Sequence, residues 1–304
     1  MEHSRAAVLA AFLANLGIAV AKLVGFVITG AASMLAEAIH SVADSGNQSL
    51  LFLGDVRSRR DPTPTHPFGY GRERYFWAFV VALVLFSVGS LFAVLEGIDK
   101  LRHPHALENP AVAVVILTVA IALEGWSFRT AVREARKVKV STSWWRFIRR
   151  TKHPELPIVI LEDTGALIGL VIALVGVVMA STTHQPRWDA AGSLSIGVLL
   201  GVIAILMMTE MKSHLIGEGA ADRDQQLIAD TICASPHVLR LLDLKTLHLG
   251  PAEILVGAKV ELDPSLSFDG VAQAIADVED AVTARLSVEA VIYIEPERAD
   301  ATPT

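Results

Sequence analysis

The sequence predicts an α-helical membrane protein, six transmembrane helices followed by a small cytosolic α+β domain. Three observations carry that reading. Of the 304 residues, 52% are hydrophobic and only 19% are charged, and the mean hydropathy of +0.48 is too apolar for a soluble chain of this size. The apolar residues fall in blocks long enough to span a bilayer, which takes about 20 of them. Beyond Met211 the blocks stop and short amphipathic segments take over. The expected division is a membrane domain over residues 1–211 and a cytosolic domain over 212–304.

The six blocks lie near 6–28, 33–56, 75–97, 110–129, 155–180 and 189–210. The first is too long for a signal-peptide core and has no clear cleavage site, so it reads as a retained helix. Orientation follows from the basic residues of the short loops. Five arginines lie between Arg57 and Arg74, after the second block, and nine Lys or Arg lie between Arg129 and Lys152, after the fourth. The alternate loops hold only Lys100 with Arg102, and Arg187. Basic loops stay on the cytosolic side, which places both termini there. The stretch SWWRFIRRTK in the second basic loop interleaves aromatics with cations, as an interfacial helix does; a plain positive-inside loop is the other reading.

In the tail, residues 222–235 have helical spacing and stop at Pro236, residues 239–249 and 254–262 read as strands about Gly250-Pro251, 268–286 is a second amphipathic helix and 288–295 a third strand. That order suits a two-layer domain with helices on one face of a sheet. Cys233 is the single cysteine, which excludes an internal disulfide and a cysteine-rich metal cluster. A net charge of −6 argues against nucleic acid as a partner.

The chemistry sits inside the apolar blocks. In EAIHSVADSG, residues 37–46, Glu37, His40 and Asp44 fall at i, i+3 and i+7 and share one helix face. An ionisable group at the bilayer centre costs at least about 2.5 kcal/mol and usually marks an ion pathway. In the fifth block, VILEDTGAL adds Glu162 and Asp163, which diverge by about 100° on a helix. Asp44 is 11 residues from Asp55, and Asp163 is 9 from Pro154. These become depths of roughly 16 and 14 Å, so the two clusters can meet at one level. Imidazole nitrogen with carboxylate oxygens suits Zn²⁺ or another first-row divalent metal; an inter-helix polar knot without metal is the structural alternative.

At this point the chain resembles a known family. GAASMLAEAIHSVADSGNQSLLFLG is similar to the second-helix signature of the cation diffusion facilitators, the metal–proton antiporters. HPFGYGRERYFWAFVVALVLFSVG and LEDTGALIGLVIALVG look more like the branch containing the mammalian mitochondrial zinc transporter. The resemblance covers essentially the whole chain. It implies a ferredoxin-like, metallochaperone-like tail domain and a homodimer in the lipid bilayer of the plasma or inner membrane. It also implies export of divalent cations from the cytosol, driven by protons moving inward. Zinc members usually carry a histidine four residues before the fifth-helix aspartate, and here that place holds Val159. The resemblance leaves His40, Asp44 and Asp163 as metal ligands by position, with Glu162 or water in the fourth place. An oxygen-richer site is harder and admits Mn²⁺, Co²⁺ or Fe²⁺. Of a second loop site found in relatives, only His66 is retained, with Thr63 and Tyr70 at the other places. Tail zinc ligands of relatives fall on Leu242, Lys259, Tyr293 and Glu295, a set that favours dimerisation over metal sensing; His237 and His248 read as surface or turn residues.

The remaining intramembrane polar residues have plainer readings. Glu37 buttresses His40 or sits in an outer vestibule, Lys22 snorkels or pairs with an acid, and Asn15 makes a helix–helix hydrogen bond or lines the path. Arg72, Glu73 and Arg74 form a cytosolic charge network. No H-E-x-x-H or other hydrolase motif is present. The expectation is therefore a proton-coupled divalent-metal transporter, zinc first, that is not an enzyme and has no cofactor besides its cargo. A manganese-, cobalt- or iron-selective member of the family, or a membrane scaffold acting through the tail, is the alternative.

Overall fold

A computed structural model describes residues 2–138, 143–144 and 155–297. The chain forms two units, Met1–Gly54 with Phe76–Met211, and Asp55–Tyr75 with Lys212–Thr304.

The first unit is built from long helices: α1 (Glu2–Thr29), α2 (Ala32–Ser58), α3 (Glu73–Arg102), α4 (Pro110–Val138), α5 (Glu155–Thr183) and α6 (Arg187–Ile216). Among the described residues, α3, most of α4 and α5, and α6 are long and apolar enough to cross a membrane. The helix α2 is diluted by its buried polar residues. Gly30, at φ +62°, makes the left-handed break between α1 and α2. The first turn of α2 is then capped from far along the chain. The Asp189 carboxylate accepts from the Ala32 N–H at 2.7 Å, the Ser33 N–H at 3.2 Å and the Ser33 hydroxyl. Lys100 stands 3.3 Å from Asp189 and donates to the Gly30 carbonyl. Orphan helix-end donors and two buried charges thus satisfy one another.

Packing in this unit relies on close backbone approach. A Cβ at Gly197 would fall 2.6 Å from Val94 Cγ2 and 3.0 Å from the Ser90 carbonyl, so α6 lies directly on α3. The Ser90 hydroxyl donates to the Gly197 carbonyl at 2.7 Å, at the end of a π-helical turn, Leu85–Ser90. Leu85, Leu117, Leu170, Ile196 and Leu200 form the centre of the apolar core.

In the second unit, α7 (Asp222–Cys233), β1 (Val238–Gly250), β2 (Glu253–Leu262), α8 (Phe268–Thr283) and β3 (Glu289–Pro296) follow the helix-strand-strand-helix-strand order read from the sequence. The sheet order is β1-β2-β3, with β1/β2 antiparallel and β2/β3 parallel across α8. Period-2 alternation on β2 buries Ile254, Val256, Ala258 and Val260, which share a core with Ile228 and Ile232 of α7 and Val278 and Val282 of α8. The aromatic-cationic stretch 143–152 lies, apart from Ser143 and Trp144, outside the described residues, as does the side chain of Asn15.

Candidate metal centre

Helical spacing on α2 puts His40, Ser41, Asp44, Asn47 and Gln48 on neighbouring turns of one face. His40 Nδ1 lies 3.4 Å from Asp44 Oδ1, with the imidazole 1% exposed. Neither imidazole nitrogen has a hydrogen-bond partner. Asp44, Ser41, Gln48 and Leu51 of α2, Val159, Glu162 and Asp163 of α5, and Glu124 and Ser127 of α4 line one cavity of about 70 Å³. The common level expected for Asp44 and Asp163 is thus where both carboxylates stand.

Glu162 is held from α2, where Asn47 Nδ2 donates to its Oε1 at 2.7 Å. Asp163 Oδ2, Asp44 Oδ1 and Asn47 Oδ1 are buried without a partner. Each such orphan acceptor carries a penalty of about 1–3 kcal/mol, which a cation in the cavity would relieve. The donors fit a divalent ion of the first row. Among the described residues, no three His, Cys, Asp or Glu side chains stand close enough together to hold a metal ion at once.

Next to this cavity lies a buried ion pair. Lys22 Nζ is 3.1 Å from Glu37 Oε2 and 2.7 Å from Ser41 Oγ, and neither the Lys22 nor the Glu37 side chain is exposed. Lys22 pairs with an acid rather than snorkelling. Glu37 engages Lys22 instead of buttressing His40, and Gly169 makes room for it, since a Cβ there would fall 2.5 Å from Glu37 Oε1.

Sequence spacing does not single out Glu124, Ser41, Asn47 or Gln48. Only Glu124 leaves a usable signal, as the one ionisable side chain in residues 110–128.

In the second unit the loop and tail positions are otherwise engaged. The His66 and Tyr70 rings lie 4.6 Å apart, tilted by 33°, and the Thr63 and Tyr70 hydroxyls are 3.1 Å apart. Arg74 pairs with Asp55, and its Nε donates to Ser58 Oγ at 3.2 Å. Lys259 Nζ lies 2.9 Å from Glu297 and 3.6 Å from Glu295; its hydrogen bond to Glu297 and the two negative charges push the ammonium pKa up. His248 Nδ1 is 3.2 Å from the Gly250 carbonyl, and His237 occupies a left-handed turn at φ +67°.

Long apolar helices that line one cavity with Asp44, Glu124, Glu162 and Asp163, the His40 imidazole standing beside Asp44 but outside that lining, define a membrane protein with a polar cavity between its helices. The cation efflux transmembrane domain matches residues 8–216, well over half of the chain, and the protein belongs to that family. It is 31% identical over 244 residues to the proton-coupled zinc antiporter SLC30A9, mitochondrial, of Mus musculus, covering 80% of this chain and 43% of the relative. It is 30% identical over 264 residues to metal tolerance protein C4 of Arabidopsis thaliana, covering 86% and 58%. It is 27% identical over 297 residues to the cation-efflux pump FieF of Escherichia coli, covering 96% and 92%. The chain spans less than half the length of the mitochondrial relatives it matches.

Proposed function

We propose that the protein is a proton-coupled efflux transporter of divalent metal cations, with zinc the leading cargo, and not an enzyme. The observation that carries this reading is the cavity lined by Asp44 and Asp163, whose Oδ1 and Oδ2 are buried without hydrogen-bond partners, with the His40 imidazole 3.4 Å from Asp44. Family membership supports it, as do a zinc antiporter and a cation-efflux pump among the relatives. His40, Asp44 and Asp163 are the proposed ligands, with Glu162 released from Asn47 to complete the set.

These groups bind metal only when deprotonated, so loading a cation expels protons and reloading protons expels the cation. Exposing one cavity alternately to the two sides converts that competition into antiport. Six spans, cytosolic termini, a membrane domain over 1–211, a ferredoxin-like cytosolic domain over 212–304 and a homodimer complete the proposal. The six long helices, the positive-inside bias and the mixed sheet of the tail support the architecture.

A second cargo assignment has its own support. Val159 lines the cavity at the place where an imidazole is expected, which leaves mostly oxygen donors and favours the harder Mn²⁺, Co²⁺ or Fe²⁺. Purified protein in proteoliposomes, with an imposed pH gradient and Zn²⁺, Mn²⁺, Co²⁺ and Fe²⁺ offered singly, distinguishes the cargoes. Gradient-dependent uptake of at least one ion is expected. No movement of any of them would refute transport and favour a scaffold acting through the tail.

A further inference from the structure

We propose that Glu124 contacts the transported cation, as a carboxylate that α4 supplies to the cavity between α2 and α5. The inference rests on the transport reading above. Glu124 is the one ionisable residue within 110–128 of an otherwise apolar helix segment, where a carboxylate costs at least about 2.5 kcal/mol to keep. Its partner is not a basic side chain. Among the described residues no hydrogen bond or ion pair engages it, whereas Lys22, the nearby buried cation, is taken by Glu37 and Ser41. Glu124 instead faces the cavity with Asp44, Glu162 and Asp163, and Ser127 of α4 lines the same space.

An acidic cluster alone would not define a ligand. Here two oxygens of residues lining that cavity, Asp44 Oδ1 and Asp163 Oδ2, are also buried without a hydrogen-bond partner, and Asp44 stands 3.4 Å from a 1% exposed imidazole with no hydrogen bond on either nitrogen. Two acceptors of the lining thus have no donor, and four carboxyl groups, those of Asp44, Glu124, Glu162 and Asp163, share one small cavity. A divalent cation resolves both problems at once. Glu124 also explains how the site tolerates Val159. An anionic oxygen from α4 offsets the missing nitrogen on α5, and it biases selection toward harder cations.

The test uses the full-length protein in proteoliposomes with Zn²⁺ and Mn²⁺ offered separately, comparing wild type, Glu124→Gln, Glu124→Asp and Asp44→Asn, alongside calorimetric binding of each ion in detergent. Expected for Glu124→Gln is a KM raised at least about tenfold with weaker calorimetric affinity, the loss larger for Mn²⁺ than for Zn²⁺, and partial recovery in Glu124→Asp. If Glu124→Gln does not fold, Glu124→Asp decides, a raised KM in folded protein supporting the proposal and an unchanged one overturning it. A Glu124→Gln protein with wild-type KM, affinity and ion preference, beside an inactive Asp44→Asn, overturns the role of Glu124 and leaves transport standing. A fall in the amount of active protein alone, with KM and ion preference unchanged, overturns that role as well. A wild type that moves no divalent cation overturns the transport reading and this proposal with it.

Discussion

Replacing Lys22 with Met strips the Glu37 carboxylate of the one charged partner it has among the described residues, inside an apolar unit. The pair is 3.1 Å apart and fully buried on both sides. With an effective dielectric of about 20, its Coulomb attraction comes to about 5 kcal/mol, and removing one member of such a pair costs about 3–5 kcal/mol because the other charge is left uncompensated. Glu37→Gln is expected to cost less than Lys22→Met, since Lys22 keeps the Ser41 hydroxyl at 2.7 Å. The double variant Lys22→Met/Glu37→Gln removes both charges, and it should be more stable than the sum of the singles by about 2 kcal/mol or more. Reversible unfolding of the purified protein in mixed micelles, followed by circular dichroism, measures all four corners of the cycle. Singles within about 0.5 kcal/mol of wild type and an additive double would refute the reasoning, because such values belong to a solvated surface pair.

Asp44→Asn and Asp163→Asn are each expected to abolish metal uptake in proteoliposomes while the protein still purifies folded, since each removes an anionic oxygen from the cavity; near-normal uptake by either would move the cargo elsewhere. Val159→His should raise uptake of Zn²⁺ relative to Mn²⁺, because Val159 lines the cavity and imidazole favours zinc. An unchanged ratio would count against that placement. The isolated tail, residues 212–304, should bind zinc only weakly by calorimetry, because Lys259 is committed to Glu295 and Glu297. Lowering the pH on the loading side from about 8 to about 5.5 should suppress uptake through proton competition at the ligands. In His40→Asp the curve should move toward acid, carboxylates having lower intrinsic pKa values than imidazole; superimposable curves would remove His40 from the proton path.

Much of the architecture is legible because hydropathy and period report burial directly. The apolar blocks recur as α1 to α6, and every tail element appears in its expected order. The spacing predicts that the second tail helix runs to residue 286, but it ends at Thr283; the Ala284 N–H still bonds to the Asp280 carbonyl as the chain leaves the helix. What stays hidden depends on contacts between distant segments. Lys22 and Glu37 are 15 residues apart on different helices, and the Asp189 cap reaches Ala32 across 157. No local spacing announces either. Glu124 escapes for a related reason: a lone acid has no i+3 or i+4 companion to mark a face, so only the meeting of three helices reveals where it points.

That meeting also changes the reading of the two adjacent acids. A divergence of about 100° separates Glu162 from Asp163, and by angle alone they belong to different surroundings. The structure brings both to one cavity wall because Asn47, one helix away, draws the Glu162 carboxylate across at 2.7 Å. Glu162 is thereby committed to α2 before any cation arrives, whereas Asp163 keeps an oxygen open. On the proposed ligand set, an arriving cation would meet Asp44 and Asp163 oxygens that have no hydrogen-bond donor and would compete with Asn47 for Glu162. Since no three ligands among the described residues are yet within one ion's reach, that exchange of Asn47 for metal is the step that would draw α2 and α5 together, making ion binding and helix movement one event.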